Sequence, residues 1–234
     1  MWLRAPNIGC RHGFSNRHGG VSSEPFDSLN LGGSEDETTH METNRKRALE
    51  ELKLSHHDLC ILKQVHGTDV CLAKRGMQQG DALVTNQKNL VLAISIADCY
   101  PILFHDPVND VIGASHAGWR GTQAKIAEQT LQAMFKLGAN AEHIQVAIGQ
   151  GICQSNFEVG VEVIEKFKQS GFEEHCWKQN KIDLIRCNVD VLVKNNISPR
   201  NIWSMNRCTF EPDFFSYRRD KGKTGRMWGL ISLA

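Results

Sequence analysis

The sequence predicts an α+β fold, one domain over residues 1–234, with helices packed outside its sheets. Short apolar runs of strand length crowd between residues 59 and 116, helical-period segments stand apart from them, and no long linker, repeat or low-complexity tract divides the chain. In order, NRHGGVSSEPFDSLNLGG at 16–33 is rich in Gly, Ser, Asn and Pro and has no sustained period, so it reads as an ordered loop on the surface or lining a site. A charged amphipathic helix follows from about Thr39 to Leu54, with Met41, Ala48, Leu49 and Leu52 toward the core. LCILKQV at 59–65, TDVCLA at 68–73, LVLAISIA at 90–97, PILFH at 101–105 and VIGASH at 111–116 are the strand-like runs. Gly121 and Thr122 open a second helix that puts Ala124, Ala127, Leu131, Met134 and Phe135 on one face and stops at Gly138. HIQVAIG at 143–149 is a further strand, helices cover 160–170 and 183–195, and strands at 201–207 and 226–233 complete the chain.

Charge argues against two broad functions. The 27 basic and 26 acidic residues are interspersed and sum to +1, which speaks against a general nucleic-acid or membrane-surface role but leaves room for a local basic pocket. Eight cysteines, at 10, 60, 71, 99, 153, 176, 187 and 208, include no C-x-x-C pair, so the usual signatures of metal knuckles and thioredoxin chemistry are missing. MWLRAPNIGCRHGF has no signal-peptide pattern, and no run approaches the ~18 apolar residues of a membrane span. The expectation is a cytoplasmic protein with reduced thiols, each cysteine by default a small buried hydrophobe.

Three strand-to-loop junctions carry chemistry: KQVHGTD with His66, IADCYP with Cys99 and ASHAGWRGT with His116. Each follows an apolar run and precedes a turn, where a side chain is held by a scaffold yet reaches a cleft. One Cys and two His make a three-ligand zinc set with an open fourth position, although a buried thiol or a satisfied histidine explains any one of them alone. Arg120, in the turn that starts a helix, suits a phosphate or carboxylate, with a surface salt bridge as its plain alternative. SYRRDKGKTGR at 216–226 either cradles an anion or forms a solvated hairpin. GQGIC at 149–153 lacks the spacing of a dinucleotide or phosphate loop and is assigned no cofactor. Asp98 and Asp69 either orient a ligand histidine or serve as turn residues.

Taken in order, QVHGTDV, ADCYPILFHDP and SHAGWRGT resemble the signatures of the laccase-domain, or YfiH-like, family, described as multicopper polyphenol oxidases and later as zinc-dependent purine nucleoside phosphorylases. GGVSSEPFDSLNLG, the NR at 44–45 and FFSYRRDKGKTGRMWGLISL extend the resemblance to nearly the whole chain. It implies a layered α/β/β/α fold of mixed sheets similar to the cytotoxic-necrotizing-factor type of cysteine hydrolase. It also implies zinc on His66, Cys99 and His116, with copper the less favoured metal. Those three with Arg120 form the expected catalytic set, and Asn30, Arg45, Gln64, Arg120 and Arg218 the expected substrate-binding set. The implied reaction is phosphorolysis of adenosine, inosine or methylthioadenosine, with adenosine deamination as a second activity, in a monomer or homodimer. Where the family often has a G-P-C-I-like turn, this chain reads GQGIC, which puts the pocket wall near Gln150 to Cys153 outside the pattern.

Other chemistries compete for the same residues. Cys99 activated by His116 would make a thiol hydrolase or amidase of the cell-wall editing kind. Copper-dependent phenol oxidation lacks the H-x-H repeats of a trinuclear centre and ranks as a side activity. The nucleobase-deaminase signature H-x-E with P-C-x-x-C is absent, so deamination needs another arrangement. A non-enzymatic binding protein fits poorly with three junction ligands and nearby arginines.

Overall fold

Near-continuous apolar runs such as LVLAISIA need cover on both faces, and the computed structural model, which describes residues 1–33 and 35–233, supplies it with two stacked sheets between helices. In chain order the elements begin with β1 Trp2–Leu3, β2 Arg11–Ser15, α1 Thr38–Glu51, β3 Leu59–Lys63, β4 Val70–Leu72, β5 Gly76–Gln79, β6 Ala82–Thr85, β7 Val91–Ile96, β8 Tyr100–Asp106 and β9 Val111–Ala117. They continue with α2 Trp119–Gln123, α3 Ile126–Lys136, β10 Gln145–Ile148, α4 Val161–Gln169, β11 Trp177–Lys178, β12 Lys181–Ile182, α5 Leu184–Lys194, β13 Ile202–Ser204 and β14 Met227–Ser232. One six-stranded sheet runs β1-β2-β14-β7-β3-β5 and the other β13-β10-β8-β9-β6-β4, each mixing parallel and antiparallel pairs.

Alternation along the strands sorts side chains into layers. On β7, Leu92, Ile94 and Ile96 point between the sheets with Leu103, Ile112 and Ala147, whereas Val91 and Ala93 face outward with Trp228 and Leu230 onto Ala48, Leu49 and Leu52 of the α1 segment. On the far side Ile102, Phe104 and Val146 meet Ile126, Ala127, Leu131 and Met134 of α3. The α/β/β/α order expected from the resemblance is therefore the observed one, a mixed α/β unit.

Several local expectations change. The helix predicted to open at Gly121 is two helices: α2 starts at Trp119, and Lys125, in the left-handed region at φ 62°, breaks the chain before α3. That break resets the helical phase, so Ala124 is exposed instead of joining Ala127, Leu131 and Met134 in the core. The strands β1, β2, β5, β6, β11 and β12 lie in stretches without a strand prediction. The 16–33 loop is ordered as expected, because buried Asn44 of α1 donates to Ser22 Oγ, Ser28 O and Asn30 O and accepts from Val21 N. One thiol expectation is corrected: Cys153 and Cys208, 55 residues apart, form a disulfide, while the other six cysteines are free. A bridge closes there because Gly151 pairs with Cys208 and so brings the two loops side by side. Among the described residues no helix is long and apolar enough to cross a membrane.

Candidate functional site

The β8–β9 hairpin assembles the site through its register. Pro101 pairs with His116 and Tyr100 with Ala117, so the residue before β8 and the residues ending β9 meet at one edge. Cys99 and His116 consequently come together with His66, which arrives from the loop after β3. One donor atom from each of the three lies within 4.8 Å of the other two, and the two imidazoles meet edge to face at 4.8 Å between centroids.

Asp81 holds this arrangement. It directly precedes β6, whose Ala82 pairs with Ser115, and is fully buried. Its carboxylate accepts from Val65 N at 3.3 Å, His66 N at 2.9 Å and Gly67 N at 2.7 Å, fixing the His66 loop, and Oδ1 meets His116 Nδ1 at 2.9 Å. Gly80 ahead of it is needed because a Cβ there would stand 2.9 Å from the Asp69 carbonyl oxygen. Burial works against the Asp81 carboxylate, but its bonds to His116 and the loop amides hold it below the usual range. Burial also pushes the Cys99 thiol up, yet the charge and hydrogen bond of His116, then those of His66, outweigh it and bring it from 9.0 to about 6. His116 is affected oppositely: burial lowers it, while the Cys99 charge and the Asp81 and Cys99 bonds raise it from 6.5 to about 9.

The donor set fits a metal. With Nδ1 engaged by Asp81, His116 keeps Nε2 for a ligand role, and the carboxylate–imidazole contact is the usual outer support of a ligand histidine. Gly118 is a second requirement, since a Cβ at that position would come 2.8 Å from Cys99 Sγ and crowd the sulfur. Two nitrogens and one sulfur leave a fourth position, as in catalytic zinc sites.

The triad opens on a cavity of about 680 Å³, walled in part by Phe157, Tyr217 and Trp228. Arg45, Arg218 and Arg226 also line it. Their hydrogen bonds go to backbone carbonyls: Arg45 to Leu31 O, Arg218 to Glu158 O, and Arg226 to Thr224 O and Gly225 O. Burial lowers the pKa of both Arg45 and Arg226 from the ordinary arginine value, so their charges lie in surroundings that favour a bound anion.

The expected residues divide three ways. His66, Cys99, His116, Arg45, Gln64 and Arg218 all line this cavity. Gln64, however, spends both amide groups on Ser95, donating to its carbonyl and accepting from its N–H at 2.8 Å each, so it braces the wall. Asn30 is buried behind the cavity, where Oδ1 accepts from Gly32 N and Arg226 N and Nδ2 donates to Asp36; its expected substrate contact becomes the positioning of Arg226. Arg120 is exposed, with its guanidinium 4.2 Å above the Trp119 ring, and is not among the residues lining this cavity. Asp98 supports the C-terminal loop: in the left-handed region at φ 87°, it accepts from Thr209 Oγ1, Ser216 Oγ and Arg218 N at 2.6–2.7 Å. Asp69 is exposed and contributes its carbonyl to the N–H groups of Asp81 and Ala82. Sequence reasoning missed Asp81 and Arg226. The only signal for Asp81 was a Gly–Asp turn before ALVT, and Arg226 closed a basic run left open between an anion cradle and a solvated hairpin.

This two-sheet fold is that of the YfiH-like laccase-domain class. The chain belongs to the family described as multi-copper polyphenol oxidoreductase laccase, whose match spans residues 11–234. It is 43% identical over 235 residues to a Deinococcus radiodurans protein named purine nucleoside phosphorylase, covering 99% of this chain and 92% of that one. It is 37% identical to the Escherichia coli protein named purine nucleoside phosphorylase YfiH, covering 94% and 92%. The crystal structure of YlmD from Geobacillus stearothermophilus superposes with a TM-score of 0.93 at 33% identity, covering 99% and 95%.

Proposed function

We propose that this chain is a purine nucleoside phosphorylase that works with zinc on His66, Cys99 and His116. The observation carrying the reading is the pocket's charge: three guanidinium groups, stacked over Trp228, Phe157 and Tyr217 and hydrogen-bonded only to backbone carbonyls, line the cavity that holds the triad. A phosphate dianion complements these charges and can be held bidentately. Phe157, Tyr217 and Trp228 offer flat apolar walls to a purine. In the reaction a phosphate oxygen bonds to the anomeric carbon, the glycosidic C–N bond breaks, and its electron pair leaves on the base nitrogen, which takes up a proton. Arg45, Arg218 and Arg226 orient the phosphate, and Asp98 holds the loop that carries Arg218. Zinc in this site supplies a Lewis acid for a phosphate or substrate oxygen.

Adenosine deamination ranks second on the same site. Asp98 is the one carboxylate lining the cavity among the described residues, and both its oxygens are engaged, so no free carboxylate is offered to C6. The Asp81–His116–Cys99 chain also matches the orienter, base and nucleophile of a thiol hydrolase. Metal analysis separates these readings. About one zinc at this triad, lost in Cys99→Ala, supports the ligand; a metal-free chain alkylated selectively at Cys99 supports the nucleophile. Copper recovered instead would favour the oxidase side activity.

The decisive assay incubates purified protein with inosine or adenosine, with and without phosphate, followed by chromatography. Phosphate-dependent release of free base is expected. Inosine formed from adenosine without phosphate marks deamination, and equal activity in wild type and His116→Ala overturns the assignment.

A further inference from the structure

A second group of metal-type donors lies away from the cavity, where the 174–176 turn meets α5. Cys176 and Cys187 are fully buried there, whereas His175 and Asp190 are only partly covered. Asp190 Oδ2 lies 2.5 Å from His175 Nε2 and accepts from Cys176 Sγ at 3.5 Å, and the donor atoms of these three residues fall within 4.8 Å of one another. Cys187, also buried, stands one turn before Asp190 on α5. Asp183 N donates to Cys176 O, which fixes the turn to the start of the helix.

A bland reading makes this a surface His–Asp pair above two core thiols. Two features point further. His175, Cys176 and Asp190 bring one nitrogen, one sulfur and one oxygen to a single place, and Cys187, one turn before Asp190 on α5, is the residue placed to add the fourth donor of a closed zinc site. The second ring nitrogen of His175 also lies 3.6 Å from a carboxylate oxygen of Glu173. Ligands around zinc stand about 3.3–3.8 Å apart, so closing the observed spread takes shifts of roughly an ångström, within reach of the half-exposed His175.

We propose that His175, Cys176, Cys187 and Asp190 form a second, structural site for zinc, independent of the cavity. An ion entering from solvent meets His175 and Asp190 first, and each thiol releases its proton to water as its sulfur binds. The ion ties the turn to α5, whose Asn188 donates to Thr122 of α2 at 3.0 Å, and α2 begins beside Cys99 at Gly118.

Zinc uptake by the full chain tests this. The protein is stripped of metal under reducing conditions, incubated with zinc and desalted, and bound metal is measured by atomic spectroscopy. Wild type should hold two equivalents and His66→Ala one. Asp190→Asn and His175→Ala, both at partly exposed positions, should each keep one equivalent together with phosphorolysis. Asp190→Asn combined with His66→Ala should hold none. In the His66→Ala background, cobalt should give a thiolate charge-transfer band that Cys187→Ser weakens. No zinc in His66→Ala, zinc unchanged from wild type in both His175→Ala and Asp190→Asn, or a cobalt band indifferent to Cys187 overturns the site. The His66→Ala background reads this centre alone, so the outcome does not depend on the phosphorylase assignment.

Discussion

The two donor clusters contain the same residue types and treat their thiols in opposite ways. At Cys99, neighbouring His116 and His66 overcome burial and bring the thiol to about 6, whereas at Cys187 the contact with Cys176, then burial, then the nearby carboxylates push it up. The first cluster carries its own cation and opens on an arginine-lined cavity, so its sulfur is a ready thiolate. The second lacks that compensation and becomes anionic only by binding an ion. One arrangement suits chemistry and the other structure.

The comparison breaks first at the triad. Cys99→Ala and His116→Ala should each lower phosphate-dependent base release by about 10²–10⁴-fold, the several kcal/mol a bound metal contributes, while Cys187→Ser leaves it in place. Chromatographic rates compare the three variants directly. The thiols themselves provide the next contrast. In the metal-free chain, alkylation of Cys99 should be half-maximal near pH 6 instead of 9.0, because only the thiolate reacts and its fraction falls as pH drops through the lowered pKa. At neutral pH this is roughly a hundredfold advantage over an ordinary thiol, and mass mapping should find Cys187 unlabelled.

Asp81→Asn sharpens the first cluster by leaving its ligands in place. Loss of the carboxylate behind His116 should weaken zinc by about 10–100-fold, measured by competition with a chelator. The smallest effect belongs to Arg120→Ala, expected to change kcat/KM by less than about twofold, since an exposed guanidinium stacked on Trp119 contributes little. A large loss there would return phosphate binding to the turn and disqualify the arginines of the cavity.

Much of this was legible in order along the chain. The runs at 90–97, 101–105 and 111–116 became β7, β8 and β9 because strands buried on both faces are written as unbroken apolar segments. Met41, Ala48 and Leu49 were readable from helical period, and all three triad residues from their places at strand ends. The broken helix at Lys125 was not, since a single left-handed residue leaves no mark in an otherwise helical pattern. β6 is four residues long and hid behind Gly80 and Asp81.

By itself the sequence determined an α+β class with helices outside the sheets and the residue types at the three junctions, because both follow from local patterns of burial and turns, while the layered order was implied by the family resemblance. Only the tertiary structure decided that Asp81 serves His66 and His116, that Arg226 replaces Arg120 at the cavity, and that His175 meets Asp190. These contacts join segments 15 or more residues apart, and strand register and helix packing, which set them, are properties of the assembled sheets.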